Sequence, residues 1–595
     1  MSKIKLSDYI AKRLKEHGVE HFFMVSGGGA MHLNDSLGRE ISYTSCHHEQ
    51  ACSIAAEGYA RVNQKLAVVN VTTGPGGLNA LNGLFGQWTD SVPVLYISGQ
   101  VKTRTLMSSF PDLPLRQLGD QEADIISVVK PLTKYAVCVK EPIEIKYYID
   151  KAIYEAITNR KGPVWLDIPI DIQASIIDEK GLKEFKPEET HKLNINTDSA
   201  DRISAKLKSA KRPLIIAGQG IRLAGVIDEF KQLVEMLKLP VVTTLSGFDL
   251  LESESPYYVG RIGTIGQRAG NFALQNADLI LCLGTRNNIR QVSYNWENFG
   301  KNAYKIVVDI DHAELEKPLV KPDMAICADL KDLIPNMLKT STDINSDKKF
   351  THWLEFCQNL RNKYSFENHP ETVQQDKIEP YHFSYELSKQ LKENDIVVMA
   401  NATPTITIFQ NTIVKNGQRY ITNSGDASMG YGLPAAIGAL IESPQRNVIC
   451  IEGDGSIMMN LQELQTVKHY NLPLKLFIIK NNGYSSIRQS QRNFFEGRMT
   501  GSGTESGVSV PDFVEIGKAF GLKSVKINNP KTMKEDIEKV LNTGGAVLCE
   551  VETVQEYSFV PKLSSRTLPD GSMVSASLED MYPFLDRKEF EENML

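Results

Sequence analysis

Apolar and polar residues along this chain fall into two alternating rhythms. Short, nearly unbroken apolar runs are separated by longer stretches in which apolar residues recur every third or fourth position. The first kind reads as strands covered on both faces and the second as helices packed on one face. Their alternation predicts α/β layers built on parallel sheets. Strand-like runs fall at 21–25, 66–71, 93–98 and 163–168, with a short strand ending near Cys46. A second series occupies 213–217, 240–244, 279–283 and 305–310, after the polar segment 183–201. The third follows the charged stretch 341–349, at 396–399, 448–451, 475–479 and 546–551. The pattern therefore predicts an α/β protein of three domains, each a parallel sheet flanked by helices, at 1–180, 190–345 and 365–560. A tail at 561–595 shows no clear strand and reads as a segment that packs over something. Periodicity leaves open whether the first and third domains share a fold.

Composition narrows the class without choosing a chemistry. A net charge of −6 without charge runs points away from nucleic acid and anionic membranes. No run approaches the ~18 uninterrupted apolar residues of a membrane span, and the opening MSKIKLSDYIAKRLKEHGVEHFF has helical spacing, not a leader pattern. Eight scattered cysteines, none at metal spacing, read as reduced thiols of a cytoplasmic protein.

The densest chemistry lies at 451–487, IEGDGSIMMNLQELQTVKHYNLPLKLFIIKNNGYSSI. An apolar strand runs into Gly453-Asp454-Gly455, a helical stretch crosses over, and a second strand ends at Asn481-Asn482-Gly483. That is one βαβ unit with acceptor groups at the carboxyl ends of both strands, where open parallel sheets place their ligands. Gly453 and Gly455 let the backbone approach a phosphate, and the helix that follows offers its amino terminus to an anion. Asp454 and Asn481 supply two hard oxygens for a divalent cation that keeps water and phosphate as its other ligands, the habit of magnesium. Gly-Asp-Gly alone is common in turns; the Asn-Asn pair across the crossover makes the signal specific. A second candidate, Glu49, opens a helix rich in small residues in SYTSCHHEQACSIAAEGYAR at 42–61. A carboxylate entering so tight an interface is costly unless protonated or paired. On the residues alone, the reading of Glu49 as a helix-start carboxylate favoured by the helix dipole is the stronger one.

Together these stretches resemble the acetolactate synthase group of thiamine diphosphate (ThDP) enzymes over nearly the whole chain. The resemblance is carried by HHEQACSIAAEGYAR at 47–61, TTGPGGLNALNGLFGQWTDSVPVLYISGQV at 72–101, KGPVWLDIPIDIQ at 161–173, NSGDASMGYGLPAAIGA at 423–439 and the 451–488 stretch. It implies that the first domain binds the pyrimidine ring, the third binds the diphosphate and Mg2+, and the middle domain is Rossmann-like. It implies that Asp454, the Asn481 side chain and the Gly483 carbonyl hold the metal, with Gly453, Gly455, Ser456, Tyr484 and Thr403 around the diphosphate. Glu49 would exchange a proton with the pyrimidine ring, Ala427 would accept a hydrogen bond from its amino group, and Met429 would hold the cofactor bent. Gly28, in VSGGGAMHL, would approach the reacting carbonyl, and Gln121, Glu122 and Lys134 would line the substrate channel. Arg286 and Asp309 match positions near the nucleotide part of FAD, though Asn287-Asn288 departs from the pattern; FAD, ADP and an empty domain all stay open. Because the family shares each site between subunits, a homodimer or homotetramer follows.

The implied reaction is decarboxylation of a 2-oxo acid, pyruvate as the expected donor, with transfer of the acyl unit to a second carbonyl compound. Simple decarboxylases of the superfamily carry a His-His pair where this chain reads Gln87-Trp88-Thr89-Asp90, which disfavours protonation to a free aldehyde. Asp120, Ser490 and Thr403-Pro404 depart from the synthase pattern, which shows Phe, Trp and Gln-His there. Small polar groups in place of aromatics widen the acceptor pocket, so a larger hydroxylated acceptor such as a nucleotide-linked keto sugar is an alternative, as is a decarboxylase or oxidase.

Overall fold

Each of the twelve apolar runs is a strand, and each is an inner strand of its sheet. The computed structural model describes residues 3–187, 198–345, 348–368, 376–567 and 570–595. The two linker segments read at 183–201 and 341–349 therefore lie partly outside the described residues. Three six-stranded sheets form, every pairing within them parallel. Numbered in chain order within each sheet, the strands of the first and third run 2-1-3-4-6-5 and those of the middle one 3-2-1-4-5-6. The latter is the dinucleotide-binding order.

Five of the six outer strands are passed over by periodicity; the sixth, Ser42–Ser45, is the short strand read near Cys46. Tyr135–Cys138 is half-buried along its length, and Lys523–Ile527 buries only its last residue. Tyr258–Arg261, Met324–Cys327 and Arg419–Ile421 are short. An edge strand needs apolar residues only where a neighbour covers it, and charge there discourages pairing with other chains. Inner strands such as Ala67–Val71 and Leu279–Leu283 are buried throughout, which makes them legible.

The first and third domains meet through helices Glu49–Asn63 and Gly432–Glu442, each linking the second and third strands of its sheet. They cross on glycine: a Cβ on Gly58 would stand 2.0 Å from the Ala435 carbonyl oxygen, and one on Gly438 would stand 1.8 Å from that of Ala55. Small residues therefore permit a backbone-to-backbone contact that larger ones would prevent.

The tail corrects its sequence reading. Ser565–Thr567 and Met573–Ser575 pair as an antiparallel ribbon, and Asp570-Gly571, with Gly571 at φ 83°, is a hairpin signal. What the tail covers is the middle-domain helix Arg268–Asn276. Asn271 Nδ2 donates to the Leu578 carbonyl at 3.0 Å, Gln275 Nε2 to Glu579 Oε2 at 2.7 Å, and Asn276 Nδ2 to the Asn593 carbonyl at 2.8 Å. All eight cysteines are unpaired and six are buried.

Candidate active site

The strand Val448–Gly453 delivers Asp454, and the neighbouring strand Lys475–Lys480 delivers Asn481. Asp454 is 1% exposed, and both of its oxygens organise the loops around it. Oδ1 accepts from the Gly455 amide at 2.7 Å; Oδ2 accepts from the Asn481 amide at 2.9 Å and the Gly483 amide at 3.2 Å. Burial nevertheless pushes its pKa up to about 6, because three neutral donors do not replace bulk water around a carboxylate. Asn481 is 4% exposed, and its Oδ1 is buried without a hydrogen-bond partner. An unpaired buried acceptor beside an underpaired carboxylate is the environment a cation relieves. Among the described residues no cluster of three or more His, Cys, Asp or Glu could hold a metal. The donors here are one carboxylate, one amide oxygen and a carbonyl, a set that suits Mg2+ completing its shell with phosphate and water. These residues fit the group.

Backbone shape makes room beside those donors. A Cβ on Gly453 would meet only Ser456, at 3.8 Å, whereas one on Gly455 would stand 2.4 Å from the Tyr484 ring. Gly483 holds φ at 122°, which favours glycine. Ser456 Oγ accepts from the Gly430 amide at 2.9 Å and so ties the Asp454 loop to the turn carrying Ala427 and Met429. Ala427 sits at φ 56°, an uncommon conformation for alanine, and Met429 is half-buried. Thr403 opens the helix Thr403–Asn411 and is buried against Ser485 and Tyr557. Tyr557 and Ser485 went unseen in the sequence. Ser485 directly follows the Asn-Asn-Gly-Tyr run and was within reach; Tyr557 stands 72 residues further along with no local pattern around it.

The first sheet assembles the other candidates. Glu49 Oε2 accepts from Asn79 Nδ2 at 2.9 Å. Its Oε1 lies 3.5 Å from where a Cβ on Gly76 would be, so a glycine keeps the space in front of it open. Glu49 is half-buried, at the end of the helix whose interior, from Ala51 to Val62, is buried. The expected tight interface therefore begins two residues beyond it, at Ala51. Thr72 gathers the neighbouring loops: its Oγ1 accepts from the Gly29 amide at 3.1 Å, and its side chain would be struck by a Cβ on Gly27 or Gly76. Gly28 is exposed and faces open space. Gln121, at φ 61°, puts its carbonyl against Gly74, where a Cβ would come within 1.9 Å. Glu122 faces its own loop, accepting from the amides of Met107, Leu118 and Gly119 at 2.6, 3.2 and 3.0 Å. Lys134 points to a helix end. Its ammonium donates to the Glu155 and Thr158 carbonyls at the end of helix Ile145–Ile157, and burial lowers its pKa to about 8.

Between the first and middle domains lies a cavity of about 690 Å³ that includes Arg286, Asp309, Arg290 and Lys161 in its lining. Arg286 Nη1 donates to the Thr89 carbonyl at 2.5 Å. Burial raises Asp309 to about 6 and lowers Arg290 and Lys161, so the wall holds underpaired charge of both signs. Asn287-Asn288 has a local role: Asn288 caps helix Ile289–Val292, and Asn287 accepts from Gln291 Nε2 at 2.9 Å.

Comparison with known proteins adds a family to this geometry. Three models match in order: the thiamine pyrophosphate enzyme N-terminal TPP binding domain at 4–126, the central domain at 200–337 and the C-terminal TPP binding domain at 403–551. The chain is 34% identical over 575 residues to the acetolactate synthase large subunit of Lactococcus lactis subsp. lactis, covering 95% of this chain and 96% of that protein. Identity is 30% over 577 residues with the acetolactate synthase isozyme 2 large subunit of Escherichia coli, covering 97% and 99%. It is 31% over 570 residues with the acetolactate synthase large subunit of Cyanidium caldarium, covering 93% of each.

Proposed function

The chain belongs to the thiamine pyrophosphate enzymes of the acetolactate synthase group, and from that premise we propose that it decarboxylates pyruvate and joins the acyl unit to a second carbonyl compound. ThDP, when bound, supplies the electron-withdrawing thiazolium on which a 2-oxo acid can lose carbon dioxide. The observation that carries the site assignment is the pair at adjacent strand ends. Asp454 commits both oxygens to its loops, and Asn481 presents a buried oxygen without a partner. Those two side chains, with the Gly483 carbonyl, would hold Mg2+, while Gly453, Gly455, Ser456, Tyr484 and Thr403 border the diphosphate.

Glu49 moves the proton in this reading. Asn79 fixes one carboxylate oxygen and leaves Oε1 facing the space kept by Gly76, where a pyrimidine nitrogen would lie. Ala427 and Met429 position the ring, the former through a left-handed backbone that turns its carbonyl toward the amino group. Gly28 and the Gln121 loop border the substrate, both lying exposed at the same sheet ends. Leu78, Phe85, Trp88, Met458 and Met459 are exposed apolar residues flanking the two halves of the site. A homodimer or homotetramer, in which one subunit's Glu49 serves another's diphosphate end, would cover them. The 690 Å³ cavity has the size and mixed charge for FAD, with Arg286 and Asp309 in contact. Unpaired thiols favour a cytoplasmic location.

A second reading concerns the acceptor alone. Ser490 and Asp120 are both exposed and polar, which leaves room for a larger, hydroxylated acceptor such as a nucleotide-linked keto sugar. Purified protein with ThDP, Mg2+ and labelled pyruvate, followed by mass spectrometry of the products, tests both readings. Acetolactate without an added acceptor supports transfer to a second pyruvate; pyruvate consumed only when a keto sugar is present supports the larger acceptor. Free acetaldehyde as the sole product overturns carboligation.

A further inference from the structure

We infer that Tyr557 is a binding residue for the diphosphate end of the site, its hydroxyl aiming Asn481 at the cation and joining Thr403 and Ser485 as donors to phosphate oxygens. The inference rests on the ThDP reading above and adds a residue to it. Tyr557 stands outside every motif of the third domain, four residues before the tail. Its hydroxyl is bonded to Thr403 Oγ1 and, at 2.9 Å, to Ser485 Oγ, and Thr403 Oγ1 lies 3.3 Å from Ser485 Oγ. Three hydroxyls thus close a ring in which each can satisfy another. Each carries a single hydrogen that can turn to a stronger acceptor when one arrives. A phosphate oxygen is such an acceptor, since hydrogen bonds to charged groups are the stronger ones.

Two features place the ring beside the proposed cofactor site. First, the helices Thr403–Asn411 and Ser485–Phe494 both begin there, and neither has a side-chain cap. Apart from Pro404, which has no N–H, their leading N–H groups are unsatisfied by side chains and so stay available to an anion. Second, Asn481 turns its amide nitrogen to this ring, at 3.4 Å from Tyr557 and 3.5 Å from Ser485, and so turns its buried, unpartnered Oδ1 the other way. Among the described residues those two hydroxyls are the hydrogen-bond partners of the amide nitrogen, and they favour the orientation that presents its oxygen to a metal. Arg488 secures the arrangement, donating to the Asn481 carbonyl at 2.8 Å and to the Gln555 carbonyl at 3.0 Å, so the strand end and the Tyr557 segment move as one.

Calorimetric titration of the full chain with ThDP at saturating Mg2+, and with Mg2+ at saturating ThDP, tests this in Tyr557→Phe, Thr403→Val and Asp454→Asn. Tyr557→Phe keeps the ring, which packs edge-on to Phe559, and removes only the oxygen. The expected result is roughly 10- to 100-fold weaker ThDP binding and a higher Mg2+ requirement, with the melting temperature of the cofactor-free protein unchanged. A purely structural tyrosine would instead lower that melting temperature and leave affinity alone, which overturns the inference. Thr403→Val should weaken ThDP binding in the same direction, and it decides the matter if Tyr557→Phe fails to fold. Wild-type affinity in Tyr557→Phe alongside lost binding in Asp454→Asn overturns the role of Tyr557 and leaves the site intact. Wild-type affinity in Asp454→Asn overturns the ThDP assignment beneath it, and the inference with it.

Discussion

Set side by side, the first and third sheets share the strand order 2-1-3-4-6-5 and differ in what their carboxyl-end loops carry. After the first strand stand Gly28 in one and Thr403 in the other; after the second, Glu49 against Ala427 and Met429. After the third and fourth strands, the third sheet supplies Asp454 and Asn481, where the first supplies the glycine-rich 72–77 turn and the 101–105 segment. The two sets of loops also differ in closure. Asp454 and Asn481 are buried, and their carboxylate and amide nitrogen are engaged by their own loops and the neighbouring hydroxyls. Glu49 is half-buried, and Gly28 and Gln121 are exposed. In the proposed function one scaffold serves two tasks. The end proposed to bind the metal is closed within a single chain, as a preorganised ligand set requires. The end proposed to move the proton is left open, as access for a ring would require.

That contrast can be broken experimentally. Glu49→Gln should lower turnover by roughly 10²- to 10⁴-fold, the usual worth of a proton-transfer residue, while ThDP affinity by fluorescence titration stays near the native value. Equal loss of binding would show that both ends grip and erase the division. Asp454→Ala should do the reverse, weakening Mg2+-dependent ThDP binding beyond the roughly 10- to 100-fold that loss of an outer-shell partner costs, as read by calorimetry. The pH dependence sharpens the picture. Burial raises the Asp454 carboxyl above its ordinary value to about 6, so the fold holds the proton more tightly than the unfolded chain does. Its ionisation therefore costs stability as pH rises toward 6, whereas metal binding needs the ionised form. Mg2+ half-saturation should accordingly rise about tenfold for each pH unit below 6 and level off above it, in titrations from about pH 5 to pH 8.

The smallest effects concern glycine. Gly438→Ala places a methyl 1.8 Å from the Ala55 carbonyl oxygen and should cost about 1–3 kcal/mol as the two helices part, seen as a lower melting temperature. Gly28→Ala meets nothing within 4 Å and should leave the melting temperature unchanged while lowering kcat/KM, since the methyl enters the space where substrate approaches.

What was legible in the chain follows from what burial demands of it. The inner strands announce themselves because both faces are covered and every position must be apolar, as in Ala67–Val71. The edge strand Lys523–Ile527 obeys no such rule and leaves no apolar run to read. Asp454, Asn481 and Glu49 stand next to strand ends or a helix start, so local pattern and family resemblance reach them. The sequence alone therefore determined the α/β class and the inner strands, and it put forward the candidate residues of the cofactor grip, since each is encoded by neighbours a few positions apart. Tertiary structure decided the rest. It turned Lys134 into a helix-end cap and Glu122 into a loop staple, laid the tail across Arg268–Asn276, and brought Tyr557 to Thr403 across 154 residues. Hydrogen bonds of that reach depend on how sheets and loops pack in space, and the order of residues along the chain carries no local trace of them.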